Sequence, residues 1–163
     1  MTQIVAADLK DVSLIHHLAN EIWPVTYSAI LSQEQINFML EENYSKSALT
    51  QAIQTQQHQF FILYDQSEAI GFMALHFLSQ ILRIEKLYLK PIGQGKGFGK
   101  KLIDFAATKA LQSNVYILEL NVNRGNNAYN FYLKQGFEVV KILDIPYYQF
   151  ILDDYVMQKK LIS

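Results

Sequence analysis

The sequence predicts a single domain over residues 1–163 of α/β (α+β) class. Its sheet should be mixed and mostly antiparallel, with a central splayed parallel pair flanked by helices. Three observations carry that expectation. An apolar run at 59–64, a polar turn at 65–68 and a second apolar run at 69–78 read as a β-hairpin. Residues 82–122 then read strand, amphipathic helix, strand, a βαβ crossover whose two strands should lie parallel. Half of the 163 residues are apolar, with no repeat and no linker-like tract, which suits one core of ordinary size.

The elements follow in order. Residues 3–6 form a short strand. From Asp11, Ile15, Leu18, Ala19 and Ile22 fall on one helical face, and Pro24 should end that helix. A second helix starts at Ser32, with Gln35 placed to complete a capping box, and buries Ile36, Met39 and Leu40. A third, from about residue 45, turns Leu49, Ala52 and Ile53 inward. The hairpin comes next, then a strand at 82–89 stopped by Pro91. A helix over 97–112 carries Phe98, Leu102, Ala106 and Ala110 in one stripe. A strand at 115–122 and a helix over 126–135, closed by Gly136, lead to final strands at 137–143 and 149–159.

Composition excludes several classes of function. A net charge of −1 lacks the basic footprint of a nucleic-acid binder. With no cysteine, disulfides, thiolate metal sites and acyl-cysteine intermediates are ruled out. The four histidines show no metal-ligand spacing, so no metal is expected, and His16, His17, His58 and His76 read as surface or structural residues. No apolar run approaches the roughly 18–20 residues that span a bilayer. The N-terminus shows no export leader, which points to the cytoplasm. The sequence does not set the oligomeric state, and a homodimer is compatible with it.

The chemistry concentrates in Gln94-Gly95-Lys96-Gly97-Phe98-Gly99-Lys100. Three glycines in five residues, opening a helix, let backbone N–H groups crowd around an anion, and lysines add formal charge. A Walker loop fails twice here, with Gln94 in place of glycine and Lys101 in place of Ser or Thr. The dinucleotide fingerprint fits Gly95 and Gly97 but demands glycine at Lys100. The pattern that fits is Q/R-x-x-G-x-G/A, as Gln94-x-x-Gly97-x-Gly99. A second segment, Asn126-Asn127-Ala128-Tyr129-Asn130-Phe131-Tyr132 with Gly136-Phe137, matches N-x-x-A-x-x-x-Y-x-x-x-G-F from Ala128 onward. Its asparagine is displaced, since strict spacing lands on Gly125.

With these two motifs in order, the chain resembles the GCN5-related N-acetyltransferase (GNAT) superfamily over nearly its whole length. The resemblance implies acetyl-coenzyme A as acetyl donor and a primary amine, small or peptidic, as acceptor. It implies that the parallel strands splay to admit pantetheine, against backbone of Leu87, Tyr88 and Leu89. It assigns the pyrophosphate to Gln94, Gly95, Lys96, Gly97, Phe98, Gly99 and Lys100. Lys100 and Lys101 also read as solvated helix lysines. Asn126, its neighbour Asn127 and, further back, Asn123 are the candidates for the displaced cofactor asparagine.

Acetyl transfer to an amine needs a base, donors for the oxyanion and an acid for the thiolate. Direct attack in a ternary complex is expected. Tyr132, at the family's position on the helix after the second parallel strand, is the candidate acid toward sulfur; packing beside Phe131 is the alternative. Glu85 is the candidate base, on the face shared with Leu87 and Leu89; a solvated strand glutamate is the alternative. Glu119 and Asn121 share one face of the partner strand and could also reach the cleft. The resemblance puts the acceptor between Trp23-Pro24-Val25-Thr26-Tyr27 and Ile145-Pro146-Tyr147-Tyr148, with Trp23, Tyr27 and Tyr147 as aromatic walls suited to a cation. The segment from Ile22-Trp23 to Tyr27, Ser32-x-Glu34-Gln35 and the ending Asp153-Asp154-Tyr155-Val156-Met157 to Lys160-Leu161 resemble bacterial relatives of polyamine acetyltransferases; Asp153 and Asp154 read as a polycation site or as a surface turn. A non-catalytic acyl-coenzyme A sensing module is the alternative reading, and an ATP- or GTP-binding protein a further one.

Overall fold

Seven apolar runs become strands of one sheet in the computed structural model, which describes residues 1–162. In chain order the elements are β1 (Thr2–Ala6), α1 (Val12–Tyr27), α2 (Gln33–Tyr44), α3 (Lys46–Gln54), β2 (Gln59–Asp65), β3 (Glu68–Leu78), β4 (Ile81–Leu89), α4 (Phe98–Gln112), β5 (Ile117–Asn123), α5 (Ala128–Lys134), β6 (Glu138–Tyr147) and β7 (Phe150–Lys160). The hydrogen-bonded order is β1-β2-β3-β4-β5-β7-β6. β4 and β5 run parallel, with Leu82 opposite Leu118 and Arg83 opposite Glu119. The β1–β2, β2–β3, β5–β7 and β6–β7 pairs are antiparallel, so the mixed, mostly antiparallel sheet expected from the sequence is present.

By contacts the chain forms two compact units. The first comprises Met1–His76 with Glu85–Ile103. Here α1, α2 and α3 contribute Ile15, Leu18, Ile22, Trp23, Ile36 and Leu49 to a core with Phe60, Ile62, Phe72 and Ala74 from β2 and β3. Phe61, Leu63, Met73 and Leu75 point to the other face of these strands and are buried as well. Burial on both faces is why β2 and β3 read as continuous apolar runs rather than alternating ones. Each fully buried Phe, Ile or Leu contributes roughly 1.5–3 kcal/mol relative to exposure.

Two helix starts follow local side-chain chemistry. Ser32 Oγ accepts from the Gln35 N–H and Ser45 Oγ from the Ala48 N–H, each at 3.1 Å. One expectation fails: Pro24 does not end α1, which continues to Tyr27. Proline removes only the bond to the Asn20 carbonyl, on an exposed residue where water can take its place. The Trp23 and Tyr27 rings, one turn apart and 4.3 Å between centroids, hold the final turn. The Pro24 carbonyl still accepts from the Ser28 N–H at 3.1 Å.

The second unit comprises Phe77–Ile84 and the chain from Asp104 onward. β5 alternates cleanly. Leu118, Leu120 and Val122 are buried, with Met157 opposite Leu120, while Ile117, Glu119, Asn121 and Asn123 point the other way, with Val156 opposite Asn121. On that polar face Arg83 donates to both Glu119 and Asn121. Asn121 donates onward to Asp154 at 3.1 Å, and Gln158 to Glu119 at 2.6 Å. The final hairpin is longer than the sequence pattern suggested, because β6 stays extended through Pro146 to Tyr147 and turns at Tyr148, where φ is +55°.

Candidate active site

β4 ends in a single 3-10 turn at Pro91–Gly93, and the chain then opens into the glycine loop. Gly95 and Gly97 sit at φ +75° and +81°, a left-handed conformation that costs an L side chain about 1–2 kcal/mol. A Cβ at either position would meet nothing within 4 Å, so backbone conformation, rather than crowding, calls for glycine here. The loop delivers the chain into the first turn of α4, fifteen residues long, where unsatisfied N–H groups and the helix dipole favour an anion. Gln94, Gly95, Lys96, Gly97 and Lys100 are exposed. Phe98 is 7% exposed and anchors the helix instead of offering a side-chain contact. Gly99 is buried beside it. Gln94 Nε2 reaches the Leu89 carbonyl at 3.5 Å, tying the loop to the strand end. Two left-handed glycines, an open rim and lysines before a long helix fit a pyrophosphate.

Upstream on β4, Glu85, Leu87, Tyr88 and Leu89 are half-buried. The Tyr88 hydroxyl lies 3.0 Å from that of Tyr27, and its ring stands 5.8 Å from both Trp23 and Phe72. Trp23 and Tyr27 are thus parts of a packed aromatic cluster, 4% and 8% exposed. Trp23 Nε1 is buried with no hydrogen-bond partner among the described residues. The first unit therefore brings together the glycine loop, the 85–89 backbone, Trp23 and Tyr27.

One residue in this region lacked a motif to flag it. Gly71 on β3 faces β4 so closely that an added Cβ would lie 2.5 Å from the Tyr88 carbonyl oxygen and 2.6 Å from Leu89 Cδ2. The signal was available, since an isolated glycine inside a strand marks close backbone approach. β3 also carries a register shift here, between the Leu63 and Tyr64 pairings.

The second unit holds Tyr132, Asn123, Asn126 and Tyr147. Tyr132 is 7% exposed, its ring 5.7 Å from Phe137 and 5.3 Å from Phe131. Both asparagines shape the turn into α5. Asn123 Oδ1 accepts from the Gly125 N–H at 2.8 Å while its Nδ2 donates to Asp153 at 3.2 Å, and Asn126 Oδ1 accepts from the Ala128 N–H at 2.9 Å. Tyr147 is half-buried, its ring 5.0 Å from Tyr148. Glu119 and Asn121 are engaged by hydrogen bonds with Arg83, Gln158 and Asp154. Among the described residues, no group of three His, Asp or Glu side chains is placed to hold a metal, and no helix is long and apolar enough to cross a membrane.

The chain is 32% identical over 142 residues to a spermidine N(1)-acetyltransferase of Thermoplasma acidophilum, covering 84% of this chain and 88% of that protein. It superposes with a TM-score of 0.86 on the PaiA N-acetyltransferase of Thermoplasma acidophilum in complex with coenzyme A, at 30% identity and over 98% and 99% of the two chains. A GCN5-related N-acetyltransferase from Rhodopseudomonas palustris matches at TM-score 0.84 and 18% identity, over 99% and 96% of the two chains, a likeness of fold. Residues 28–145 match the acetyltransferase (GNAT) domain, and the chain belongs to that family of acetyl-coenzyme A-dependent N-acetyltransferases.

Proposed function

We propose that this enzyme acetylates a polyamine-like primary amine by direct attack on the acetyl thioester. The observation that carries the donor side is the loop at 94–100, with Gly95 and Gly97 left-handed at the head of α4. The acceptor class is supported by the similarity to a spermidine N(1)-acetyltransferase over most of both chains. In this reading Glu85 takes the proton of the incoming ammonium, directly or through water. Backbone N–H near Leu89 meets the oxyanion, and Tyr132 gives its phenolic proton to the departing sulfur. A tyrosine phenol is an O–H donor with a proton to give. Asn123 and Asn126 act by shaping the entry to α5, and Trp23, Tyr27 and Tyr147 contribute aromatic wall to the acceptor site.

The test is coenzyme A release across spermidine, spermine, putrescine, an aminoglycoside and a peptide N-terminus. A polyamine should give the highest kcat/KM. In the same assay Tyr132→Phe should lower kcat by about 10²-fold, the usual worth of a positioned acid, with acetyl-coenzyme A affinity nearly unchanged. Turnover of no amine by a protein that binds acetyl-coenzyme A would replace this reading with the sensing module. Equal losses in kcat and cofactor affinity would make Tyr132 a packing residue.

A further inference from the structure

The first unit contains a polar pocket that the acetyl-transfer reading does not use. It has a volume of about 270 Å³ and opens between α2, α3, the start of β2 and β4. Asn43, Gln51, His58, Phe60 and Lys86 line it, with Glu42. Lys86 alternates with Glu85 and Leu87, so it projects from the opposite face of β4. Its ammonium lies 5.1 Å from the centroid of the Tyr44 ring, and among the described residues no carboxylate forms an ion pair with it. Glu42 is exposed, whereas Lys86 is half-buried. A half-buried ammonium in contact with a ring face, offset otherwise only by the longer-range charge of Glu85, is under-compensated, because buried charge is ordinarily paired.

His58 adds a second under-used group. Its Nδ1 is buried with no hydrogen-bond partner among the described residues, and Nε2 makes no hydrogen bond to them either. The neighbouring His76 ring, 5.8 Å away, is fixed by donating from Nδ1 to the Gln57 carbonyl at 2.6 Å, so it does not satisfy His58. The Gln51 side-chain amide brings further N–H donors to the same wall, whereas Asn43 Nδ2 donates to the Met39 carbonyl at 3.3 Å. An ammonium without an ion-pair partner, an imidazole without a hydrogen bond and the Gln51 amide around a small open cavity form a donor-rich receptor.

We infer that this pocket binds a small oxyanion, a carboxylate or phosphate, paired with Lys86 and hydrogen-bonded by His58. The inference goes beyond the acetyl-transfer reading. Two sources share the chemistry: a free anion acting as effector, or a carboxylate carried by the acceptor.

The experiment keeps the phosphate loop filled with coenzyme A and follows the His58 ring resonances by NMR while acetate or inorganic phosphate is added, with chloride at matched ionic strength as control. A saturable shift beyond chloride is expected in the native protein. It should be about tenfold weaker in Lys86→Met, the usual worth of one charge-assisted hydrogen bond, and recovered in Lys86→Arg. Both variants are checked for native coenzyme A affinity, which separates loss of the pocket from loss of the fold or of the donor site. No shift beyond chloride, or equal affinity in Lys86→Met, overturns the inference. A second arm compares an ω-amino acid with the alkylamine of equal chain length as acceptors. A KM increase in Lys86→Met confined to the amino acid assigns the anion to the acceptor. Unchanged KM for both, with anion binding intact in the native protein, assigns it to a free effector.

Discussion

His58 shows how one side chain links packing to pH. Burial pushes its pKa below the ordinary value of 6.5, the Lys86 charge pushes it further down, and Glu85 acts the other way. The folded protein therefore binds this proton more weakly than the unfolded chain does. The stabilising contribution is complete above pH 6.5 and is lost as the pH falls from there through the lower, folded-state pKa. Lys86→Met should raise the NMR titration midpoint of His58 without restoring it to 6.5, because burial remains. The acid-side decline in Tm should become shallower in the same variant. An unchanged midpoint would mean that the two side chains do not sense each other. Lys86 itself is pushed below the usual lysine range, first by burial and against the opposing charge of Glu85. Its ammonium would be easier to discharge than that of an exposed lysine.

At the scale of elements, the β3–β4 ribbon sets the position of the Tyr88 and Leu89 backbone, which the proposed reading assigns to the acetyl donor. Because Gly71 leaves no room for a Cβ against the Tyr88 carbonyl and Leu89, Gly71→Ala must push β4 away or twist it. Overpacking of this kind costs about 1–3 kcal/mol. Both Tm and acetyl-coenzyme A affinity should fall in that variant. In Gly95→Ala, whose Cβ meets nothing, the cost is the left-handed backbone alone. Equal behaviour of the two variants would remove close strand approach as the reason for Gly71. The contrast also shows what can be read from sequence. The glycine loop was legible because its spacing is local and its consequence, a turn into a helix, is local too. The stop at Pro24 was misread because the aromatic contact that sustains the last turn of α1 is not encoded in proline propensity. The pocket of Lys86 and His58 was invisible because it joins positions 28 residues apart, and a histidine before a strand has many ordinary uses. Likewise Arg83 gave no local hint that it would occupy Glu119 and Asn121.

For the whole molecule, the donor assignment makes a thermodynamic claim that separates it from other phosphate-loop proteins. The chain lacks the Walker serine or threonine, with Lys101 in its place, and shows no cluster of acidic or histidine side chains fit for a metal among its described residues. A ligand that binds only the folded state adds RT ln(1 + [L]/Kd) to stability, about 2.7 kcal/mol at a hundredfold excess over Kd. For a chain of this length each kcal/mol moves Tm by roughly 2–4 °C, so acetyl-coenzyme A at that excess should raise Tm by about 5–10 °C. ATP with magnesium at the same concentration should leave Tm close to the unliganded value. Gly97→Asp sets a carboxylate at the mouth of the loop and adds the strain of a left-handed aspartate. Its own Tm should drop modestly, and the increment from acetyl-coenzyme A should vanish. An equal increment from ATP and magnesium would point to a general nucleotide loop. A full increment surviving in Gly97→Asp would move the pyrophosphate away from residues 94–100 altogether.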